Sequence, residues 1–303
     1  MQIVCDLKGN VFLPPGDTVV LTTGPLVGLG DHAIYSTLPK RFKELGYTVL
    51  LDKDCQARND EILDVFWGQN PHIDGLTDKK PNAGYVRQGL FYEIANKFPL
   101  GSIAAMERAH GLPPPYSLAP IVNYTPKPFP LDVSRYVLFD FSSVSSKIAD
   151  RAIAEFVGKM MEKYGGPFLQ LLMPKWASLE GAKVQSESVA INSIYEYLDA
   201  LASARGWIGS EAGGQSLAAA ARGEHKADDL EARLPCTVLA TPKTFNSRGY
   251  TYAGIDYRVT SQAVDQDSDF WKPTEVLTHR YELACAFSLA NMRAMQKPEA
   301  VVG

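Results

Sequence analysis

Residues 18–31 read TVVLTTGPLVGLGD, and this stretch decides the fold. Residues 18–23 are a β-branched run with Gly16 ahead of it and Gly24 behind, the composition of a buried strand. A glycine-rich turn follows over residues 24–31. Ile34, Leu38, Phe42 and Leu45 then keep helical spacing, and Gly46 stands where that helix should end. Residues 47–51, YTVLL, predict the next strand. Strand, glycine loop, helix and strand within about 35 residues make a βαβ unit, which implies a parallel sheet.

Downstream of this unit, residues 59–67 (NDEILDVFW) predict a short helix opened by acidic residues. Residues 113–130, PPPYSLAPIVNYTPKPFP, hold seven prolines in eighteen positions. Proline at that density blocks helix interiors and central strands, so an extended connector and a domain boundary are expected there. The strand–loop–helix theme then starts again. Residues 136–141 predict a strand, 142–146 (SSVSS) a polar loop, and 148–164 an amphipathic helix closed by Gly165 and Gly166. A strand at 168–173, a helix within 193–205 and a short strand at 207–209 follow. The loop EAGGQ at 211–215 opens an Ala-rich helix at 216–222, and residues 236–240 (CTVLA) predict a last buried strand. Residues 273–295 form a long amphipathic helical pattern.

Composition narrows the function classes. The 303 residues are 46% hydrophobic and 21% charged, as in a globular protein with substantial cores. A formal charge of −4 gives no long-range attraction for nucleic acid or an anionic membrane. Cys5, Cys55, Cys236 and Cys285 form no CxxC, which predicts a reduced, cytoplasmic protein. The five histidines show no HxxxH or HExxH spacing, so no zinc site is expected. Residues 1–10 lack the apolar centre of a signal peptide, and no apolar run approaches the about 20 residues that span a bilayer.

Ligands of open α/β sheets bind beyond the carboxyl ends of strands, where loops meet helix amino termini. Three loops qualify. Gly28 and Gly30 let backbone approach a ligand, with His32 beside them, and Asp31 at a helix start is kept ionised and fit to accept a proton; helix capping is the plainer role for Asp31. Ser142, Ser143, Ser146 and Lys147 have the hydroxyls and point charge that hold a phosphate, or form a solvated loop. Gly213 and Gly214 permit a diphosphate to approach a helix start, and Glu211 suits sugar or ribose hydroxyls, or else a cap. Gln215 and Ser216 complete that loop. Asn59-Asp60-Glu61 and residues 67–71 (WGQNP) are candidates for the acceptor side. Residues 265–269 (DQDSD) have acids at metal-ligand spacing, but an acidic run in a loop is usually solvated, and no metal is expected.

At these motifs the chain resembles the heptosyltransferase-like glycosyltransferases of family GT9 and GT-B fold. Residues 28–39 (GLGDHAIYSTLP) are similar to that family's amino-terminal signature, 142–147 to its donor loop ending in Lys, and 211–218 (EAGGQSLA) to its donor motif. Glu211, Ala212 and Ser216 replace the Asp, Thr and His usual there. The resemblance implies an α/β fold of two Rossmann-like lobes facing a central cleft, with a C-terminal helix returning to the first lobe. Residues 1–125 would be the acceptor-side domain, 126–272 the nucleotide-sugar domain, and 273–303 the returning helix. It implies metal-independent sugar transfer from a nucleotide-sugar, with no cofactor. Asp31 is then the base, and Ser142, Ser143, Ser146, Lys147, Glu211, Gly213, Gly214, Gln215 and Ser216 bind the donor. The acceptor stays open among glycan, protein, small molecule and modified nucleobase. A nucleotide-sugar epimerase, a non-catalytic nucleotide-sugar binder and a Rossmann oxidoreductase are the rival readings, the last weakened because Gly28-x-Gly30 lacks the third glycine of a dinucleotide loop.

Overall fold

The computed structural model describes residues 14, 16–25, 28–97, 101–142, 148, 150–173, 187–222, 235–240, 251–252 and 255–259. Ser143, Ser146, Lys147, the acidic run at 265–269 and the 273–295 helix lie outside these residues. The chain divides into two compact units, with the boundary between Tyr124 and Thr125; residues 251–252 return to the first unit.

In the first unit the β-branched run folds as strand β1 (Thr18–Thr22), buried at Val19, Val20 and Leu21. The single helix expected after it is two: α1 (Leu29–Tyr35) and α2 (Leu38–Glu44). Pro39 explains the break. It has no amide to give to the Tyr35 carbonyl, and its ring crowds that carbonyl, so the chain restarts with proline in the first turn of α2. Gly46 ends α2 at φ 87°, its amide on the Lys43 carbonyl at 2.9 Å. Next come β2 (Thr48–Asp52), α3 (Asp60–Leu63), β3 (Gly75–Thr77), β4 (Ala83–Gly84), α4 (Gln88–Lys97) and α5 (Ser102–Ala109). Asn59 Oδ1 caps α3 by accepting from the Ile62 amide at 3.0 Å, and α3 runs into a π-helical turn, Asp64–Gly68. The sheet is parallel in the order β3-β2-β1-β4. Gly84, at φ 79°, passes so close to β1 that a Cβ there would lie 2.2 Å from the Thr22 carbonyl oxygen.

The Pro-rich segment has no helix or strand from 113 to 130 and bends at 114, 115, 119 and 130. Asn123 is fastened to the first unit, its amide on the Val65 carbonyl at 2.8 Å and its Nδ2 on the Phe66 carbonyl at 2.9 Å. These are among the last carbonyls of the α3–π-helix run, which need partners from outside the helix. Lys127 is fastened to the second unit, its amide donating to Asp199 Oδ1 at 2.7 Å.

The second unit holds β5 (Val137–Asp140), α6 (Asp150–Tyr164), β6 (Phe168–Leu172), β7 (Glu187–Ala190), α7 (Ile194–Ser203), β8 (Gly206–Ser210), α8 (Gly213–Arg222), β9 (Cys236–Ala240) and β10 (Ile255–Val259). All pair in parallel, in the order β10-β9-β8-β5-β6-β7. Residues 236–240 are therefore not the last strand, because β10 pairs beyond them. Residues of β5 alternate between the two faces. Val137 and Phe139 join Ala152, Ile153, Phe156, Val157 and Met160 of α6 in one core. Leu138 and Asp140 share the opposite face, where Tyr197 of α7 packs. Burying a side chain the size of Phe156 contributes about 2 kcal/mol.

Candidate functional site

Both sheets reverse direction beside their first strand. In the first unit β2 and β3 lie on one side of β1 and β4 on the other; in the second, β6 and β7 lie on one side of β5, with β8, β9 and β10 on the other. Crevices outside the carboxyl ends of strands at such a switch point are where open α/β sheets bind ligands. Each unit thus has one candidate position, β1/β4 and β5/β8.

At β1/β4 stand Thr22, Thr23 and Gly24, helix α1 and Gly84. Tyr85 packs over Gly24, where a Cβ would lie 2.3 Å from its ring. Asp31 occupies the third position of α1, and its Oδ2 accepts from the Gly28 amide at 3.2 Å, half of a capping box. The Tyr35 hydroxyl donates to Gln88 Oε1, and burial and the Asp31 carboxylate hold its pKa far above the usual tyrosine value. Gln88 is itself buried, and its Nε2 has no partner. His32, expected beside a ligand, is instead a core residue with no exposed surface. Its Nδ1 accepts from Trp67 Nε1–H at 2.8 Å, so its Nε2 carries the proton, lying 3.0 Å from the Gln56 carbonyl. An apolar helix face turned to the core carries it there, and both nitrogens are satisfied inside.

A cleft of about 530 Å³ opens between the carboxyl end of β2, Gly75 and Leu76 of β3, and the α3–π-helix run. Leu51, Trp67 and Leu76 line it together with Asp52, Asp60 and Asp64. Of the residues singled out around 59–71, Asp60, Trp67, Gly68 and Asn70 line this space, while Asn59, Glu61, Gln69 and Pro71 do not.

At β5/β8 the strands end in Asp140 and Ser210. Asp140 is buried, and burial raises its carboxyl pKa against the pull of its hydrogen bonds. Its Oδ1 accepts from the amide and hydroxyl of Ser142 at 2.7 and 2.5 Å, and its Oδ2 from Tyr197 at 2.9 Å. Trp207 Nε1–H donates to the Tyr197 oxygen at 2.9 Å. The Ser142 hydroxyl is thus committed to Asp140, which was not foreseen as part of the site. Gly213 and Gly214 do not precede the helix but form its first turn. A Cβ on Gly214 would lie 2.7 Å from Tyr197 Oη and 2.9 Å from Asp140 Oδ2, so this glycine brings α8 against the network. Glu211 and Ser216 are buried, as is Gln215, whose Oε1 accepts from Tyr257 at 3.3 Å. The Ser210 hydroxyl is buried beside the start of α8 and has no partner. Among the described residues no group of three or more His, Cys, Asp or Glu could hold a metal ion, and no helix is long and apolar enough to cross a membrane.

No family model and no curated protein matches the chain. Solved structures do. A glycosyl transferase of family 9 from Veillonella parvula DSM 2008 superposes with a TM-score of 0.51 at 12% identity, over 80% of this chain and 86% of that one. The iron-containing dodecameric glycosyltransferase TibC from enterotoxigenic E. coli H10407 superposes with a TM-score of 0.53 at 17% identity, over 94% of this chain and 76% of that one. The chain has the fold of these glycosyltransferases. At such identities the likeness is one of fold, and the GT-B architecture of two Rossmann-like units accounts for the paired switch points.

Proposed function

We propose that this protein transfers a sugar from a nucleotide-sugar donor to an acceptor hydroxyl. The observation that carries the reading is the β5/β8 switch point, where a buried, unpartnered Ser210 hydroxyl adjoins an α8 amino terminus that begins with two glycines. Helix amino termini present unsatisfied N–H groups and a positive dipole end, which stabilise a diphosphate. The chain shares its fold with glycosyltransferases, which fits this reading.

In this reading the donor diphosphate lies against the start of α8, and Ser210 gives it a hydrogen bond. Glu211 takes ribose or sugar hydroxyls. Lys147 neutralises the departing nucleotide, which with the α8 dipole does the work of a metal ion. Asp31 removes the proton of the acceptor hydroxyl as the anomeric carbon–oxygen bond to the diphosphate breaks. The two substrates thus divide between the units, donor on the second and acceptor on the first.

A thermal-shift panel of nucleoside diphosphates and their sugars tests the donor. At least one is expected to raise the melting temperature, and no response from any member would remove the reading. With the responding donor, Asp31→Ala is expected to lower turnover at least a hundredfold with donor affinity kept. Full activity in that variant would reassign the base.

A further inference from the structure

We propose that the cleft between the carboxyl end of β2, β3 and the α3–π-helix run binds a basic side chain, lysine or arginine, of a peptide acceptor. As an acceptor subsite it rests on the glycosyl-transfer reading; as a binding site it stands on its own geometry. The cleft belongs wholly to the first unit and adjoins α1, because Trp67 both lines it and donates to His32, the residue after Asp31. Its lining is apolar at Leu51, Trp67 and Leu76, and Leu76 is 70% exposed, a large apolar residue left open to solvent.

Charge selects the occupant. Asp52, Asp60 and Asp64 line the cleft. The cation among the lining residues, Lys53, is ion-paired with Asp78. These three carboxylates do not come together as a metal site. A compact metal ion therefore does not fit, and an anionic acceptor such as a phosphorylated glycan is repelled. Lysine and arginine combine an apolar stem with a cationic head, and they bury the stem along apolar surface while the head reaches charge. An apolar floor beside separated carboxylates complements that side chain. The hydroxyl to be glycosylated then lies a few residues along the same peptide.

The test is binding of a fluorescently labelled peptide, serine flanked by arginine, to the full chain, read by anisotropy without donor. The arginine peptide is expected to bind, more weakly as salt rises, while the same peptide with glutamate for arginine does not. Asp60→Asn combined with Asp64→Asn is expected to weaken binding roughly tenfold. Leu76→Lys, at an exposed position that leaves folding intact, is expected to weaken it as well. Equal binding of both peptides, no binding of the arginine peptide, or unchanged affinity in both variants would overturn the proposal. Nucleoside diphosphate titrated into the same samples reports on the second unit alone. Peptide binding without nucleotide binding keeps the cleft and removes the transferase reading, and the reverse result does the opposite.

Discussion

Tyr197 satisfies two buried groups with one oxygen, accepting from Trp207 Nε1–H and donating to Asp140 Oδ2. Tyr197→Phe strands both, and is expected to lower stability by about 1–3 kcal/mol in urea unfolding. His110 gives a pH signature. Its Nε2 accepts from the Gly84 amide at 2.8 Å and its Nδ1–H donates to the Met106 carbonyl at 2.8 Å, so the folded state needs the neutral ring. Burial lowers its pKa to about 4 from an ordinary 6.5. The unfolded chain binds this proton first, so the contribution is complete above pH 6.5 and is lost as pH falls towards 4. The loss reaches about 2 kcal/mol by pH 5. Urea midpoints between pH 7 and 5 are expected to show that slope, and His110→Gln to flatten it. Neither arrangement was legible in the sequence, because Tyr197 and Asp140 stand 57 positions apart and His110 is brought to Gly84 by α5. Gly213 and Gly214 were legible as a mark, though Gly214 proves to be required by packing.

Elements show why the same substitution has opposite outcomes in two helices. Gly158 lies inside α6 with open space where a Cβ would go. Gly158→Ala is expected to stabilise the protein by about 0.5–1 kcal/mol through lower chain entropy. Gly214→Ala drives a methyl group into the Tyr197–Asp140 pair, and is expected to destabilise by about 1–3 kcal/mol. Melting temperatures of the two variants should move in opposite directions. Buried strands such as β1, β5 and β9 were legible because β-branched and apolar runs have no other ready use. β7 was not, since three of its four residues are exposed and it carries no apolar run. The π-helical turn has no sequence signature either. Pro39 did mark the α1–α2 break, but the apolar spacing running across it suggested one continuous helix.

For the whole molecule, two parallel sheets with matching switch points give each unit its own candidate ligand position. A ligand of the second unit alone, at a hundred times its dissociation constant, is expected to stabilise by about 2.7 kcal/mol. That corresponds to a rise in melting temperature of a few degrees, readable by calorimetry. Asn123 is clamped to two carbonyls of the π-helical turn, those of Val65 and Phe66. Trp67 and Gly68 of the same turn line the acidic cleft, so a guest seated there tightens the clasp, and slower hydrogen exchange at the Asn123 amide is the expected sign of it.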